Sequence, residues 1–345
     1  MKEETSYLIR KLVRQITICC SLMVLIGVFT LLFYFDAFSK DPIPLEEITL
    51  EPIASEYDIS LLNDSEENIE LKFGHELFIN TPKYIGPDNG NPDRVYSGNR
   101  LACNNCHLQA GTKPFSGSLI GIINRFPQFR GRENKIGTIE ERINGCMERS
   151  MNGKTMPPNG KEMKAFIKYL TWLSRLAPED GKIFGQGFVK VEIPEREVNL
   201  EHGKQVFTAT CVVCHGNDGK GKIAMDGYTY VYPPLWGDDS FNNGAGMTRV
   251  ITAARFIKGN MPFGTTYDAP LLSDEEAYDV AGYINQQKRP IKVNPENDFP
   301  DLTRKPVSTP YPPYADSFPI EQHQLGPFQP IMDYYKQEYN MVKTK

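Results

Sequence analysis

The chain has 345 residues, 38 Lys and Arg against 43 Asp and Glu, and a formal net charge of −5. Lys2, Arg10, Lys11 and Arg14 against Glu3 and Glu4 put +2 on the first 35 residues and −7 on the rest. An acidic body of this kind excludes a nucleic-acid partner.

Ile16 to Phe35 is an apolar run of 20 residues behind that basic flank. It is long enough to cross a bilayer as a helix, and longer than a signal-peptide core of about 7 to 15 residues. No small-x-small cleavage site succeeds it; the run meets Asp36, Ser39, Lys40 and Asp41. The expected arrangement is an uncleaved anchor over residues 1–35 in the bacterial inner membrane, with everything after Asp36 on the periplasmic side. A cleaved signal releasing a soluble periplasmic protein is the alternative. Cys19 and Cys20, inside the run, read as small apolar residues. Residues 36–60 are expected to link the anchor to the first domain.

The 310 residues from Asp36 to Lys345 suffice for two domains and a tail. An internal repeat places them. Gly74-His75-Glu76-Leu77-Phe78 matches Gly203-Lys204-Gln205-Val206-Phe207, and each precedes one copy of a five-residue pattern: Cys103-Asn104-Asn105-Cys106-His107 and Cys211-Val212-Val213-Cys214-His215. Each copy is a c-type haem attachment site: two thiols add to the vinyl groups of one porphyrin, and the adjoining imidazole becomes the proximal iron ligand. Structural zinc would want its Cys pairs within about 15 to 20 residues, whereas over a hundred separate these. The expected cofactors are therefore two covalently bound haem c groups, on Cys103, Cys106 and His107 and on Cys211, Cys214 and His215. Covalent haem attachment takes place outside the bacterial cytoplasm, in agreement with the N-terminus.

A closing helix comes after each motif. Met163, Phe166, Ile167 and Leu170 recur at i, i+3, i+4 and i+7, as do Ala277, Val280, Ala281 and Ile284. Asn159 with Glu162 and Ser273 with Glu276 stand at capping-box spacing. Opening helix, haem motif, loop and closing helix together resemble the class I cytochrome c fold. The expected fold is mainly α, with such domains at 61–177 and 198–289 and a linker at 178–197, where Pro178, Gly181, Gly185, Gly187 and Pro194 gather. Ten prolines between Pro290 and Pro330 predict an extended strap over 290–345 with no long helix; Tyr311, Tyr314, Phe318, Phe328, Tyr334 and Tyr335 make it more aromatic than a disordered tail.

The second haem has Met225, Met247 and Met261 as distal candidates, and Met261, 46 residues beyond His215 and 12 before Ser273, fits best. Pro233-Pro234-Leu235 resembles the cytochrome c segment whose carbonyl orients the proximal imidazole. For the first haem, Met156 lies 49 residues after His107, copying the second domain, while Cys146 lies 13 before Asn159, close to the 12 of the other half. Spacing leaves both open.

The run from Thr138 through Gly145-Cys146-Met147 to Gly153 resembles the dihaem cytochrome c thiosulfate dehydrogenase (tetrathionate synthase) family. The likeness extends over Cys103-Asn104-Asn105-Cys106-His107-Leu108, Phe126-Pro127-Gln128-Phe129-Arg130, Met261-Pro262-Phe263-Gly264 and Gln322 to Phe328, covering about residues 70 to 331. The resemblance implies that Cys146 is the distal thiolate of a catalytic first haem, with Arg132, Arg142 and Ser150 beside it. It also implies oxidative coupling of two thiosulfates to tetrathionate, reversible in some members, with a small periplasmic cytochrome c or similar acceptor. Some members carry Lys before the distal Met; Asn260 stands there, so a lysine ligand switch is not expected. A thiolate lowers the first haem's potential relative to a His/Met centre, so electrons should drain from the first to the second. A doubly charged anion on an acidic protein needs a local cationic pocket, for which Arg125, Arg130, Arg132, Lys135, Arg142 and Arg149 are the candidates, set against Glu133, Glu140, Glu141, Glu148 or haem propionates as partners. The alternative function is a non-enzymatic, membrane-anchored dihaem electron carrier, which needs only the haems and would be favoured by Met156 on the first iron.

Overall fold

A computed structural model describes residues 2–38 and 56–345. Helix α1, Lys2–Phe38, contains a stretch from Arg10 to Leu31, 22 residues of mean hydropathy 2.1, long and apolar enough to cross a membrane. The Thr17 and Thr30 hydroxyls donate back to Val13 O and Ile26 O at 2.9 Å, so neither leaves a bare polar group on the apolar surface. Ser39, Lys40 and Asp41 and most of the expected 36–60 linker lie outside the described residues.

From residue 56 onward the chain builds two helix groups of the same plan. In the first, α2 (Glu66–Ile79) starts on a Ser65 cap with Glu66 and Glu67 in its first turn, where carboxylates meet the positive end of the helix dipole. After the short α3 (Thr81–Ile85) and the first haem motif comes a hairpin, β1 (Gln128–Arg130) antiparallel to β2 (Lys135–Gly137). Helix α4 (Ile139–Arg149) and closing helix α5 (Lys161–Ser174) complete the group. The second group has α6 (Leu200–Thr210), the one-turn α7 (Val212–His215), the ribbon β3 (Lys222–Ile223) with β4 (Tyr230–Tyr232), then α8 (Val250–Asn260) and α9 (Asp274–Asn285).

Opening helix packs on closing helix in both groups, α2 on α5 and α6 on α9. The apolar positions read from the sequence make the two cores: Leu77, Phe78, Met163, Phe166 and Leu170 in one, Val206, Phe207, Ala277, Val280 and Ile284 in the other. Ser273 and Glu276 form the expected capping box, at 2.8 and 3.2 Å. Asn159 and Glu162 do not. Gly160 is the cap residue of α5, and Glu162 turns to Arg94, 2.8 Å away, because a buried carboxylate gains more from a guanidinium than from a backbone N–H. The working box of the first half is Thr138 with Glu141, at the start of α4.

Within residues 178–197, Gly185 O accepts from Phe115 N and Gly187 O from Gly117 N, fastening this stretch to the loop after the first haem motif. The stretch after Pro290 departs from the expected extended form, since α10 (Ile320–Leu325) and α11 (Gln329–Tyr339) occur within it. Prolines are absent after Pro330, and Pro330 sits in the first turn of α11, where its missing N–H costs nothing. Leu325, Phe328, Ile331 and Tyr335 complete the second core. His323 is buried and hydrogen-bonded, with Nδ1 2.7 Å from Val307 O and Nε2 2.9 Å from Asp316.

The same stretch grips the first helix group through Asp298, which takes Arg149 Nη2 at 2.9 Å, Arg132 Nη1 at 2.5 Å and the Tyr311 hydroxyl at 2.8 Å. Burial alone would raise its pKa, but the Arg149 bond and the charges of Arg132 and Arg149 outweigh it and hold the carboxyl below the usual range. Asp298→Ala leaves two guanidinium groups facing each other and is expected to cost about 3 to 5 kcal/mol. With a depressed folded pKa, this contribution is complete above pH about 4 and disappears as the pH falls through the folded value. Melting curves of wild type and variant should accordingly converge in acid; a gap that stayed constant down to pH 2 would refute the assignment.

Candidate functional site

A capped helix supplies one wall of the first site. Arg142, Ile143, Cys146, Met147 and Ser150 fall at i, i+1, i+4, i+5 and i+8, one face of α4 and the residue after it, and all line one cavity. The facing wall holds Cys103, Cys106 and His107. Cys103 is seated by its N–H on Thr81 Oγ1 at 3.2 Å, and Asn105 Oδ1 takes Ala102 N at 2.7 Å, tightening the turn that brings both thiols to one side. Phe241, Ala245 and Met247, more than ninety residues further on, close the cavity. Met247, a sequence candidate for the second haem, thus belongs to the first cavity.

His107 Nδ1 lies 2.7 Å from Gly117 O, at a glycine whose φ of +68° turns the carbonyl toward the ring. Burial pulls the imidazole pKa down to about 4, with the Arg142 charge acting in the same sense against the Gly117 bond. The ring is therefore neutral: Nδ1 donates to a carbonyl, and Nε2 keeps its lone pair for a metal. Burial likewise pushes the Cys103 thiol up to about 12 and Cys106 up to about 11.

Of the two sixth-ligand candidates, only Cys146 lines the cavity. Arg142 Nη1 donates to its Sγ at 2.7 Å. Met156 is buried elsewhere in the first core, its backbone N–H and C=O both clasped by the Asn144 side chain at 2.8 and 2.9 Å.

The second site repeats the plan. His215 Nδ1 is 2.8 Å from Pro233 O, and burial lowers its pKa. Met261 comes directly after the last turn of α8, its N–H bonded to Ile257 O at 2.8 Å, and packs on the second core, whereas Met225 is fully exposed on the β3–β4 ribbon. Asn260 Nδ2 donates to Phe115 O and Phe256 O, both at 3.0 Å, tying the residue before Met261 to the loop that carries the His107 acceptor.

The arginines divide into two sets. Arg130 is spent on Glu133 at 2.8 Å and Arg149 on Asp298. Arg132, expected at the site, does not line the cavity: it bonds Asp298 and Gly244 O and lies 4.8 Å over the Phe299 ring. Arg142 and Ser150 do line it. Arg125 and Arg249 have no carboxylate partner among the described residues, and the Nε of each is buried without a hydrogen bond. Sequence reasoning missed Arg249, which lies 103 positions beyond Cys146 with no motif around it; only the fold brings it into the field of Arg142.

Paired thiols beside a neutral imidazole, twice, with an apolar cavity walled by Phe78, Leu101 and Leu119 at the first copy, are the donor set a covalently held porphyrin requires. Residues 94–178 match the SoxA/TsdA cytochrome c domain, and residues 200–288 match the Cytochrome c family. The chain is 42% identical over 244 residues to a thiosulfate dehydrogenase of Psychrobacter arcticus, covering 71% of each chain. It is 38% identical over 243 residues to one of Allochromatium vinosum, covering 69% of this chain and 85% of that one. The structure of a thiosulfate dehydrogenase (TsdBA) from Marichromatium purpuratum, in its as-isolated form, superposes with a TM-score of 0.61 at 33% identity, over 68% of this chain and 49% of the other.

Fold and site together define a dihaem c-type cytochrome, mainly helical, with two cytochrome c domains and two covalently bound haem c groups. Within that class the chain is an oxidoreductase and belongs to the thiosulfate dehydrogenase family.

Proposed function

We propose that this protein couples two thiosulfate ions into tetrathionate and delivers the two electrons to a small periplasmic cytochrome c or similar acceptor. The carrying observation is that Cys146 shares one cavity with Cys103, Cys106 and His107 and has a guanidinium on its sulfur. Cys103, Cys106, His107 and Cys146 would hold one haem c group and Cys211, Cys214, His215 and Met261 the other, and the two groups would supply one-electron acceptors, thiolate ligation favouring a lower potential than His/Met.

The chain's own residues do the rest. Arg142 donates to the Cys146 sulfur and presents further donors to an incoming sulfonate. The thiolate joins the sulfane sulfur of one thiosulfate, a sulfur–sulfur bond forms, and two electrons leave. A second thiosulfate attacks that sulfane sulfur, tetrathionate departs, and Cys146 returns as a thiolate, so charge balances with two electrons per tetrathionate. Ser150 offers a hydroxyl on the same face, and Arg132 keeps the Asp298 carboxylate away from the anions. The apolar wall excludes water from the polysulfide bond. Run backwards, the same groups would reduce tetrathionate. Helix α1 tethers the enzyme to the periplasmic face of the inner membrane.

Electron paramagnetic resonance of the ferric protein tests the reading. A low-spin thiolate signal from one haem is expected, together with thiosulfate-dependent reduction of an artificial acceptor. A thioether signature on both haems would leave only an electron carrier.

A further inference from the structure

The last turn of α4, the helix that carries Cys146, is finished by residues from outside it. A helix leaves its final carbonyls without intrahelical partners, and where they are buried they must find donors elsewhere. The chain's own continuation serves some of them: Met151 N donates to Cys146 O at 3.0 Å and Gly153 N to Met147 O at 2.8 Å. Two asparagines serve the others. Glu148 O accepts from Asn242 Nδ2 at 2.8 Å, Arg149 O from Asn242 N at 3.1 Å and Ser150 O from Asn99 Nδ2 at 2.9 Å. Both side chains are buried, Asn242 at 1% exposure and Asn99 at 0%.

Asn242 belongs to the second cytochrome c domain, in the segment between β4 and α8. Every polar atom of its side chain is engaged: Nδ2 also donates to Asn152 Oδ1 at 3.0 Å, and Oδ1 accepts from Gly244 N at 3.1 Å. The segment is anchored on its own side too, with Asn243 N on Pro290 O at 2.9 Å and Asn285 Nδ2 on Met247 O at 3.0 Å. Asn99, just before the first haem motif, gives its amide also to Ser240 O at 3.1 Å, which ties that motif into the same junction. Phe241, Ala245 and Met247, around Asn242, line the cavity that holds Cys146. One piece of the second domain thus walls the first site and grips the helix that carries its sulfur.

The proposed reaction asks the Cys146 sulfur to serve twice, as an iron ligand and as the carrier of a sulfane sulfur, and each duty tolerates little displacement. Glu148, the residue gripped by the Asn242 amide, stands in the same helical turn as Cys146, so the grip fixes the backbone on which that sulfur is mounted. We propose that Asn242 is a positioning residue for Cys146, contributed by the second cytochrome c domain, and that the first site is complete only when the 240–247 segment of that domain is seated on the end of α4. This rests on the thiosulfate reading above and adds to it a second duty for the other domain, in building the site where the sulfur chemistry takes place.

The test uses haem-loaded, full-length Asn242→Ala and Asn242→Ser beside wild type. Alanine keeps the backbone bond to Arg149 O and loses both side-chain donations, whereas serine retains a hydroxyl donor. In Asn242→Ala the ferric thiolate resonance of the first haem should lose intensity to a second species, and that haem's potential should rise as thiolate ligation weakens. The kcat for thiosulfate should fall about tenfold or more with KM nearly unchanged, since a misplacement of about 1 Å costs about 10²-fold. The second haem's potential should not move, and Asn242→Ser should recover part of each effect. Where these readouts disagree, the thiolate resonance decides. A lower Tm with that resonance as in wild type makes Asn242 a stabilising contact only and overturns the inference. Should neither variant load haem, Asn152→Gly takes their place: glycine suits the φ of +45° there and removes only the acceptor that orients the Asn242 amide. An altered thiolate resonance in it supports the inference, and an unaltered one overturns it. A wild type with no thiolate resonance overturns the Cys146 reading itself, and this inference with it.

Discussion

Cys146→Gly is expected to keep both haems covalently attached and to lower thiosulfate turnover by at least about 10³-fold. Attachment survives because the four motif thiols and the two imidazoles sit on other segments, Cys103 seated by Thr81 and His107 by Gly117. Turnover does not, because no other sulfur is placed to take over. Met147 and Met151 also line the cavity, but a thioether cannot carry a sulfane sulfur and be regenerated by a second thiosulfate, since it lacks the anionic nucleophile that thiol chemistry requires. Helix α4 tolerates the change mechanically: its caps, Thr138 with Glu141, lie two turns away, and the glycine costs about 1 kcal/mol of helix propensity, too little to unfold it. Loss of activity with an intact Soret band, intact haem content and a vanished thiolate resonance is the expected result. A variant retaining wild-type turnover would end the mechanism outright.

How far the sequence reveals this molecule depends on the range of the interaction involved. Haem attachment is legible because its chemistry is contained in five consecutive residues, and the closing helices because apolar positions at i, i+3, i+4 and i+7 need only their own helix. The Ser273 cap is legible for the same reason. Asn159 misleads because its partner Glu162 binds Arg94 instead, 68 positions away, which no local pattern shows. The C-terminal stretch misleads because its prolines are unevenly spread: α10 fits between Pro319 and Pro327, and α11 has its only proline in its first turn. The cationic site is the least legible element. Six basic side chains lie close to Cys146 in sequence, yet Arg130, Arg132, Lys135 and Arg149 face Glu133, Asp298, Glu141 and Asp298. One of those carboxylates comes from near residue 300, so which charges remain for a substrate is decided by tertiary packing.

Gly203→Val is expected to prevent the second cytochrome c domain from folding stably, and Gly203→Ala to cost about 3 kcal/mol. The glycines of the repeat, Gly74 and Gly203, mark where opening and closing helices touch backbone to backbone. A β-carbon on Gly203 would lie 2.1 Å from Asp279 O and 3.0 Å from the Tyr283 β-carbon; on Gly74 it would lie 2.0 Å from Ala165 O and 2.9 Å from the Tyr169 β-carbon. None of these atoms is the end of a flexible chain, so relief requires the helices to separate by about 1 Å, unpacking the fully buried Tyr278, Val280 and Ala281 beside them. Alanine favours an isolated helix by about 1 kcal/mol over glycine, which partly offsets the clash without reversing its sign. For a domain of this size 1 kcal/mol moves Tm by about 4 to 8 °C, so Gly203→Ala should melt roughly 12 to 24 °C below wild type. Gly90→Ala is the control: a β-carbon there meets nothing within 4 Å, and the shift should stay within about 0.5 kcal/mol. If Gly203→Ala melted with the control, the two helices would not be in backbone contact, and the placement of Cys211, Cys214 and His215 directly after α6 would have to be rebuilt from another anchor.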